Sequence, residues 1–300
     1  MNKAYLILAH KYPLQLYRLY KALEDEHSTF FIHIDKKVEM TKFQELVTDK
    51  KVRWVNRAEA NWGEFGLVEA VLNLLQAVKD CGKKFDRIIL LSGQDYPIKS
   101  NHTINEYLRQ SAQRTFIEYH PLPSPKKWKP HGGLYRVNKY FFGFGFHQRV
   151  AAKMVNLLAM IVPLLERNIP KGMKPYAGST WWIIDDYSMR YILDFVADNP
   201  GYVAFHKNTF AADEVFFHMI LLNATDEKVK AKIVNDDKRF IKWKDIHAAH
   251  PEQLTEKDMD EIRCSDALFA RKFDITNDEE MLDLIERQRS IAPGERKQAS

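Results

Sequence analysis

From residue 4 to residue 118 the chain alternates between two hydrophobic rhythms. Residues 4–9, 29–34 and 86–91 are largely apolar, of strand length, and lack the polar alternation of a half-exposed strand, so they predict buried strands. Residues 52–55 and 115–118 read as shorter ones. Between them the period changes to that of a helix. Residues 14–23 place Leu14, Leu16, Tyr17, Tyr20 and Leu23 on one stripe, 43–47 is a short helical segment, 66–78 is strongly amphipathic and 101–110 follows the same rule. This spacing predicts an α/β fold: a Rossmann-like, mostly parallel, doubly wound central sheet with helices on both faces. Ligands of such sheets sit beyond the carboxyl ends of the strands. His10, Asp35 and Gln94-Asp95-Tyr96-Pro97 therefore carry the most weight in this half.

Residues 121–175 lose both rhythms and are rich in proline, glycine and aromatics, notably Lys126-Lys127-Trp128-Lys129-Pro130 and the run from Tyr140 to Phe146. Such a stretch either carries specificity on a rigid scaffold or is a structural excursion packed by its own rings. Within it, residues 154–165 are apolar but short of the ~18 needed to cross a bilayer. They predict a buried helix; the other reading is a helix lying on a membrane, suggested by the flanking Arg149, Lys153, Arg167, Lys171 and Lys174. Regular structure resumes as a strand over 179–184 and helices over 187–196 and 213–222. A capped helix over 276–289 and a disordered tail over 293–300 close the chain. No repeat or linker divides residues 1–275, which read as one domain followed by the helix and tail of 276–300.

Three hundred residues at 45% hydrophobic can bury a full core. The net charge of +5 suits an anionic ligand or membrane surface, and its even spread does not call for nucleic acid. Two cysteines, Cys81 and Cys264, give neither a disulfide framework nor a zinc spacing. With no secretory signal at Met1-Asn2-Lys3, the expectation is a cytoplasmic protein, with peripheral contact at the inner face of a membrane as a possibility.

Three segments carry the chemistry. Asp213-Glu214 stands at the head of an apolar helix, Gly178-Ser179-Thr180-Trp181-Trp182 precedes it, and Leu268-Phe269-Ala270-Arg271-Lys272-Phe273 lies near the end. An acid, an aromatic platform and paired cations are what moving a sugar off a nucleotide diphosphate requires: a base for the hydroxyl proton, flat rings for sugar faces, and fixed positive charge for the departing diphosphate. Glu214 in a first helical turn would be held ionised by the helix dipole, while Asp213 is its rival and the natural N-cap. Of the adjacent tryptophans, one should face the site and the other the core, and Trp181 is the choice for the site. Asp95 follows an apolar strand, although Pro97 makes a turn role equally plausible.

Three look-alikes are set aside. Gly143-Phe144-Gly145 lacks the third glycine and the strand–turn–helix frame of a phosphate loop. Asp258-Met259-Asp260 has the form of a cation-binding pair but reads as the charged start of a helix. His247-Ala248-Ala249-His250 lacks the spacing of a helical zinc site. No metal site is expected.

In consistent order, Leu8-Ala9-His10, His33-Ile34-Asp35-Lys36, Asn61-Trp62-Gly63, Leu91–Ile98, Gly178–Trp182, Asp213–His218, His250-Pro251 and Phe269–Phe273 resemble the core-2/I-branching N-acetylglucosaminyltransferases and peptide O-xylosyltransferases, glycosyltransferase family 14. The resemblance implies a GT-A-type fold, with a nucleotide-binding half over 1–120 and an acceptor and catalytic half over 121–275. It implies inverting transfer of N-acetylglucosamine or xylose from a UDP-sugar to a glycan hydroxyl without a metal ion or other cofactor. By position, Leu8 and Asp35 would contact uridine with Asn61 and Trp62 nearby, and Glu214 would be the base. Arg271, Lys272 and His250 would meet the diphosphate. Ser179, Thr180 and Trp181, with Asp95, would belong to the acceptor and sugar site. Thr180 replaces an acid of the xylosyltransferases. The membrane anchor and many cysteines of animal relatives have no counterpart here, which favours a bacterial-type enzyme making surface polysaccharide on an oligosaccharide, polysaccharide or lipid-linked acceptor. Two other classes stay open: a sugar-nucleotide nucleotidyltransferase, which would want a glycine-rich loop where Ala9-His10-Lys11 stands, and a non-catalytic UDP-sugar or glycan-binding module.

Overall fold

The computed structural model describes residues 1–245, 248 and 250–290. The expected disordered tail over 293–300 lies outside them, as do His247 and Ala249. Among the described residues the strands are β1 (Lys3–Ala9), β2 (Ser28–Ile34), β3 (Val52–Trp54), β4 (Arg87–Ser92), β5 (Asp95–Pro97), β6 (Thr115–Pro121), β7 (Tyr176–Ile184), β8 (Ile233–Val234), β9 (Arg239–Ile241) and β10 (Phe269–Arg271). Seven of them form the central sheet in the order β3-β2-β1-β4-β7-β6-β8, and β5-β10-β9 form a small second sheet. Strands β3, β2, β1 and β4 are parallel to one another, as β6 is to β8. Strand β7 runs antiparallel to both β4 and β6. It is reached through the irregular stretch after β6 rather than through a crossover helix, so nothing forces it parallel.

The α/β class and mostly parallel sheet expected from the periodicity are present. Every residue of β1 and β2 is buried, which explains their unbroken apolar runs. Side chains alternate between two cores: Leu6 and Leu8 join one, Tyr5 and Ile7 the other. Helices α1 (Pro13–Leu23), α2 (Thr41–Leu46), α3 (Gly66–Asp80) and α4 (Asn101–Gln110) divide between these faces, with α3 on the Leu6 side and α1 and α4 on the Tyr5 side. Later come α5 (Tyr135–Asn138), α6 (Phe146–Leu158), α7 (Asp186–Asp198), α8 (Pro200–His206), α9 (Phe216–Leu222), α10 (Glu227–Lys230), α11 (Met259–Cys264) and α12 (Glu279–Ser290).

Three local expectations need correcting. In α1 Leu14 is exposed, whereas Gln15 is fully buried. The Gln15 amide nitrogen donates to the carbonyls of Gly93 (3.0 Å) and Phe273 (3.2 Å), and its oxygen accepts from the Ile275 amide (2.9 Å). An amide so satisfied tolerates a core position that polarity alone would deny it. The apolar stretch over 154–165 is not a buried helix: α6 buries none of its residues, and the turn after it is more exposed still. The helix expected over 213–222 is broken at Val215, leaving a three-residue 3₁₀ turn, Ala212–Glu214, ahead of α9. Of the look-alikes, Gly145 and Gln148 form the N-terminal cap of α6. Asp258 caps the turn before α11 through Thr255 and holds Lys242 at 2.5 Å.

Candidate active site

The carboxyl ends of β1 and β2 open the site. The Asp35 amide donates to the Ala9 carbonyl (2.9 Å), and Asp35 Oδ1 accepts from the Lys37 amide (2.9 Å), closing a tight turn after β2. Lys37 Nζ reaches both Asp35 Oδ2 (3.6 Å) and Asn61 Oδ1. Leu8 sits beside His33 across the ladder, and Ala58 N–H donates to His33 Nε2 (2.8 Å), so burial and this bond keep the imidazole neutral, its pKa lowered to about 4. His33 is thus a satisfied sheet-end histidine. Trp62 is half exposed; its ring stacks on Phe144 at 5.6 Å and meets Phe210 and His250 edge-on at 5.5 and 5.3 Å. The Ala211 amide donates to the Gly63 carbonyl (2.8 Å), tying this turn directly to the acidic pair.

Positive charge converges on the same end of the sheet. Strand β10 pairs with β5 so that Arg271 stands opposite Asp95. Asp95 is fully buried, accepts from the Ser92 amide (3.1 Å), and lies 3.5 Å from Arg271 Nε. Burial pushes the Asp95 carboxyl up, against the pull of Arg271 and Arg239. The Arg271 guanidinium lies 4.2 Å over the Trp181 ring. Trp181 therefore holds this cation, while Trp182 is entirely in the core against Phe217. Lys272 follows just beyond the ladder. Burial, then Lys11 and Arg271, lower the Lys272 ammonium. Burial, then Lys272 and Arg271, lower His250. His10 is lowered by burial and Lys11, with Asp35 opposing. Cations that depress one another in this way form a site for an anion with several negative oxygens.

The acids face this cluster. Asp213 does not cap a helix: Thr180 Oγ1 donates to its Oδ2 (2.7 Å), and burial raises its carboxyl against Thr180, Arg136 and Arg271. Glu214 Oε2 lies 2.7 Å from Arg136 Nη1. Burial, with help from Asp213 and Glu118, pushes the Glu214 carboxyl up to about 7 despite Arg136. The expectation that a helix dipole would favour its ionised form is overturned: α9 starts two residues later, and desolvation beside two other acids outweighs what remains.

Glu118 and Arg136 were missed in the sequence. The Ser179 amide donates to Glu118 Oε2 (2.9 Å). Burial disfavours its charge, yet His120, Lys127 and that amide hold the carboxyl at about 2. Glu118 lies within β6, so the position after a strand that singled out Asp35 and Asp95 did not mark it. Arg136 had no signal beyond its place in the aromatic excursion. Its guanidinium lies 4.0 Å over Trp128 and 5.3 Å from Phe210. Arg167, buried nearby, donates to the carbonyls of Arg136 (2.8 Å), Lys139 (2.7 Å) and Phe205 (2.8 Å) and to Thr209 Oγ1 (2.5 Å).

Among the residues named from the sequence, Lys37 links Asp35 to Asn61, Trp62 meets His250, Arg271 joins Trp181 to Asp95, and Thr180 holds Asp213. Among the described residues no three His, Cys, Asp or Glu side chains are grouped to hold a metal ion.

Comparison with known proteins places nearly the whole chain among its relatives. Residues 3–263 match the family described as Core-2/I-Branching enzyme. Mouse xylosyltransferase 2 is 24% identical over 94% of this chain and 33% of its own. Beta-glucuronosyltransferase GlcAT14A of Arabidopsis thaliana is 28% identical over 68% of this chain and 43% of its own. Mouse xyloside xylosyltransferase 1, in its apo crystal form, aligns with a TM-score of 0.40 at 12% identity, covering 89% of this chain and 97% of that one. The chain spans about a third of the length of the animal xylosyltransferases it matches. A match over this much of the sequence settles the family: the chain belongs to the core-2/I-branching enzymes.

Proposed function

We propose that this chain is a glycosyltransferase that moves N-acetylglucosamine or xylose from a UDP-sugar to a glycan hydroxyl with inversion and without a metal ion, in the synthesis of a bacterial surface polysaccharide. The observation that carries the reading is Arg271, which lies over Trp181, stands 3.5 Å from Asp95 and acts on Asp213, while Lys272 and His250 add positive charge close to it. In a single displacement, the acceptor oxygen bonds to the anomeric carbon as the bond from that carbon to the β-phosphate oxygen breaks. The electron pair leaves with UDP, and the acceptor proton passes to Glu214. A carboxyl with a pKa of about 7 is a stronger base than an ordinary glutamate and is still half ionised at neutral pH. Arg271 and Lys272 stabilise the charge that grows on the diphosphate, the role a divalent cation takes in other enzymes. In this reading Leu8, Asp35, Asn61 and Trp62 receive the nucleoside.

Thermal-shift screening of UDP-sugars, followed by UDP release with and without glycan acceptors in EDTA, tests the proposal. Release and transfer that persist in EDTA are expected. Activity abolished by EDTA and restored by Mn²⁺ would overturn the metal-free mechanism, and binding without turnover on any acceptor would favour a binding module.

A further inference from the structure

We propose that α6 and the turn after it dock this protein on an anionic lipid bilayer. The helix presents Phe146, Val150, Met154 and Leu157 at i, i+4, i+8 and i+11, one continuous stripe, and that stripe faces outward. Phe146 is 72% exposed and Leu157 63%. The following turn extends the surface, with Ile161 76% and Leu164 92% exposed. Helices of a water-facing protein orient such stripes inward. Here the inward side of α6 is the shallow one, carrying the half-buried Ala152, Val155 and Asn156. Asn156 fixes the helix by accepting from the Tyr140 amide (2.8 Å) and donating to its carbonyl (2.9 Å). The apolar side is left facing solvent by a defined anchorage.

Charge identifies the occupant. Residues 121–175 hold ten lysines and arginines against one acid, Glu166, a local charge of +9 in a chain whose total is +5; Arg136 and Arg167 are buried, and the other eight cations are exposed. Arg149 and Lys153 border the apolar stripe along the helix, and Lys139, Lys171 and Lys174 are exposed in the flanking segments. An outward apolar stripe edged by lysine and arginine, too short to span, matches a bilayer of acidic headgroups over shallow acyl chains. A second copy of this chain would bring the same excess positive charge against itself. The surface adjoins the site, because Phe144, two residues before Phe146, stacks on Trp62.

Co-sedimentation of the full chain with phosphatidylcholine vesicles, with and without phosphatidylglycerol, tests this. Binding to the anionic vesicles that weakens as salt rises is expected. The Met154→Glu, Leu157→Glu double variant should lose at least tenfold in partitioning, with an unchanged circular-dichroism melt because both side chains are exposed. Arg149→Gln and Lys153→Gln should each cost about fivefold. No binding to anionic vesicles, or binding that the double variant leaves intact, would overturn the proposal. So would a dimer in sedimentation velocity that the double variant dissociates, which would give this face to a second copy. UDP binding, measured separately, reports on the sheet-end site and is expected to be equal in all variants.

Discussion

Arg136 Nη1 stands 2.7 Å from Glu214 Oε2, with Trp128 beneath the guanidinium. An acid raised by burial and restrained by one cation has a pKa set by two opposed effects, so removing the cation has a definite sign. Under the proposed mechanism kcat/KM should rise about tenfold per pH unit up to about pH 7 and then level. Arg136→Gln should carry that limb to higher pH. An acidic limb at the same pH in both proteins would show that Glu214 is not the titrating base. Glu214's own contribution to stability has the matching sign: it is present below its ordinary value of 4.5 and lost as pH rises through about 7.

Glu214→Gln keeps the shape of the side chain and removes its basicity. Turnover should fall by about 10²–10⁴ while the Kd for UDP changes less than twofold. Calorimetry with UDP, run beside the transfer assay, separates this from a folding defect.

Arg271 stands 3.5 Å from Asp95 and 4.2 Å over the Trp181 ring, within the electrostatic reach of Asp213. Arg271→Ala should weaken UDP binding by about 10–100-fold, the range for charged hydrogen bonds. Arg271→Lys should recover little, because an ammonium neither stacks on indole nor offers a planar fork. Lys272→Ala, beyond the ladder and less buried, should cost less. Equal losses for both alanine variants would contradict the unequal roles drawn here.

Gly178 packs so closely that a Cβ built on it would lie 2.0 Å from the Glu118 carbonyl oxygen. This is where the pairing of β6 with β7 shifts register. Gly178→Ala should destabilise the fold by about 1–3 kcal/mol and lower the melting temperature accordingly. It should also move Glu118 away from the Ser179 amide. A melt matching the parent would show that the strands yield more easily than this contact implies.

The sheet was legible because β1, β2 and β4 are buried on both faces and spell that out as unbroken apolar runs. Likewise, Asp35 and Asp95 were found by their place after such strands. Other features depend on partners far away in the chain. Gln15 is buried because the carbonyls of Gly93 and Phe273 accept from it, which no local pattern encodes. The Glu214 shift follows first from burial, with Asp213 and Glu118 adding to it, so the helix-dipole argument, built on neighbours in sequence, had the wrong sign. The apolar run over 154–165 read as a buried helix, whereas the side of α6 that faces inward is set by the Asn156–Tyr140 contact.

Arg167, with four acceptors on two segments, makes residues 136–139 and 205–209 a single rigid bracket. Upstream of that bracket, Pro125 and Lys126 are exposed. Under the proposed function these two positions can vary while the spacing between Arg136 and Glu214 stays fixed. A library randomised at 125 and 126 would leave Lys127 on Glu118, and with it the surroundings of the proposed base, unchanged.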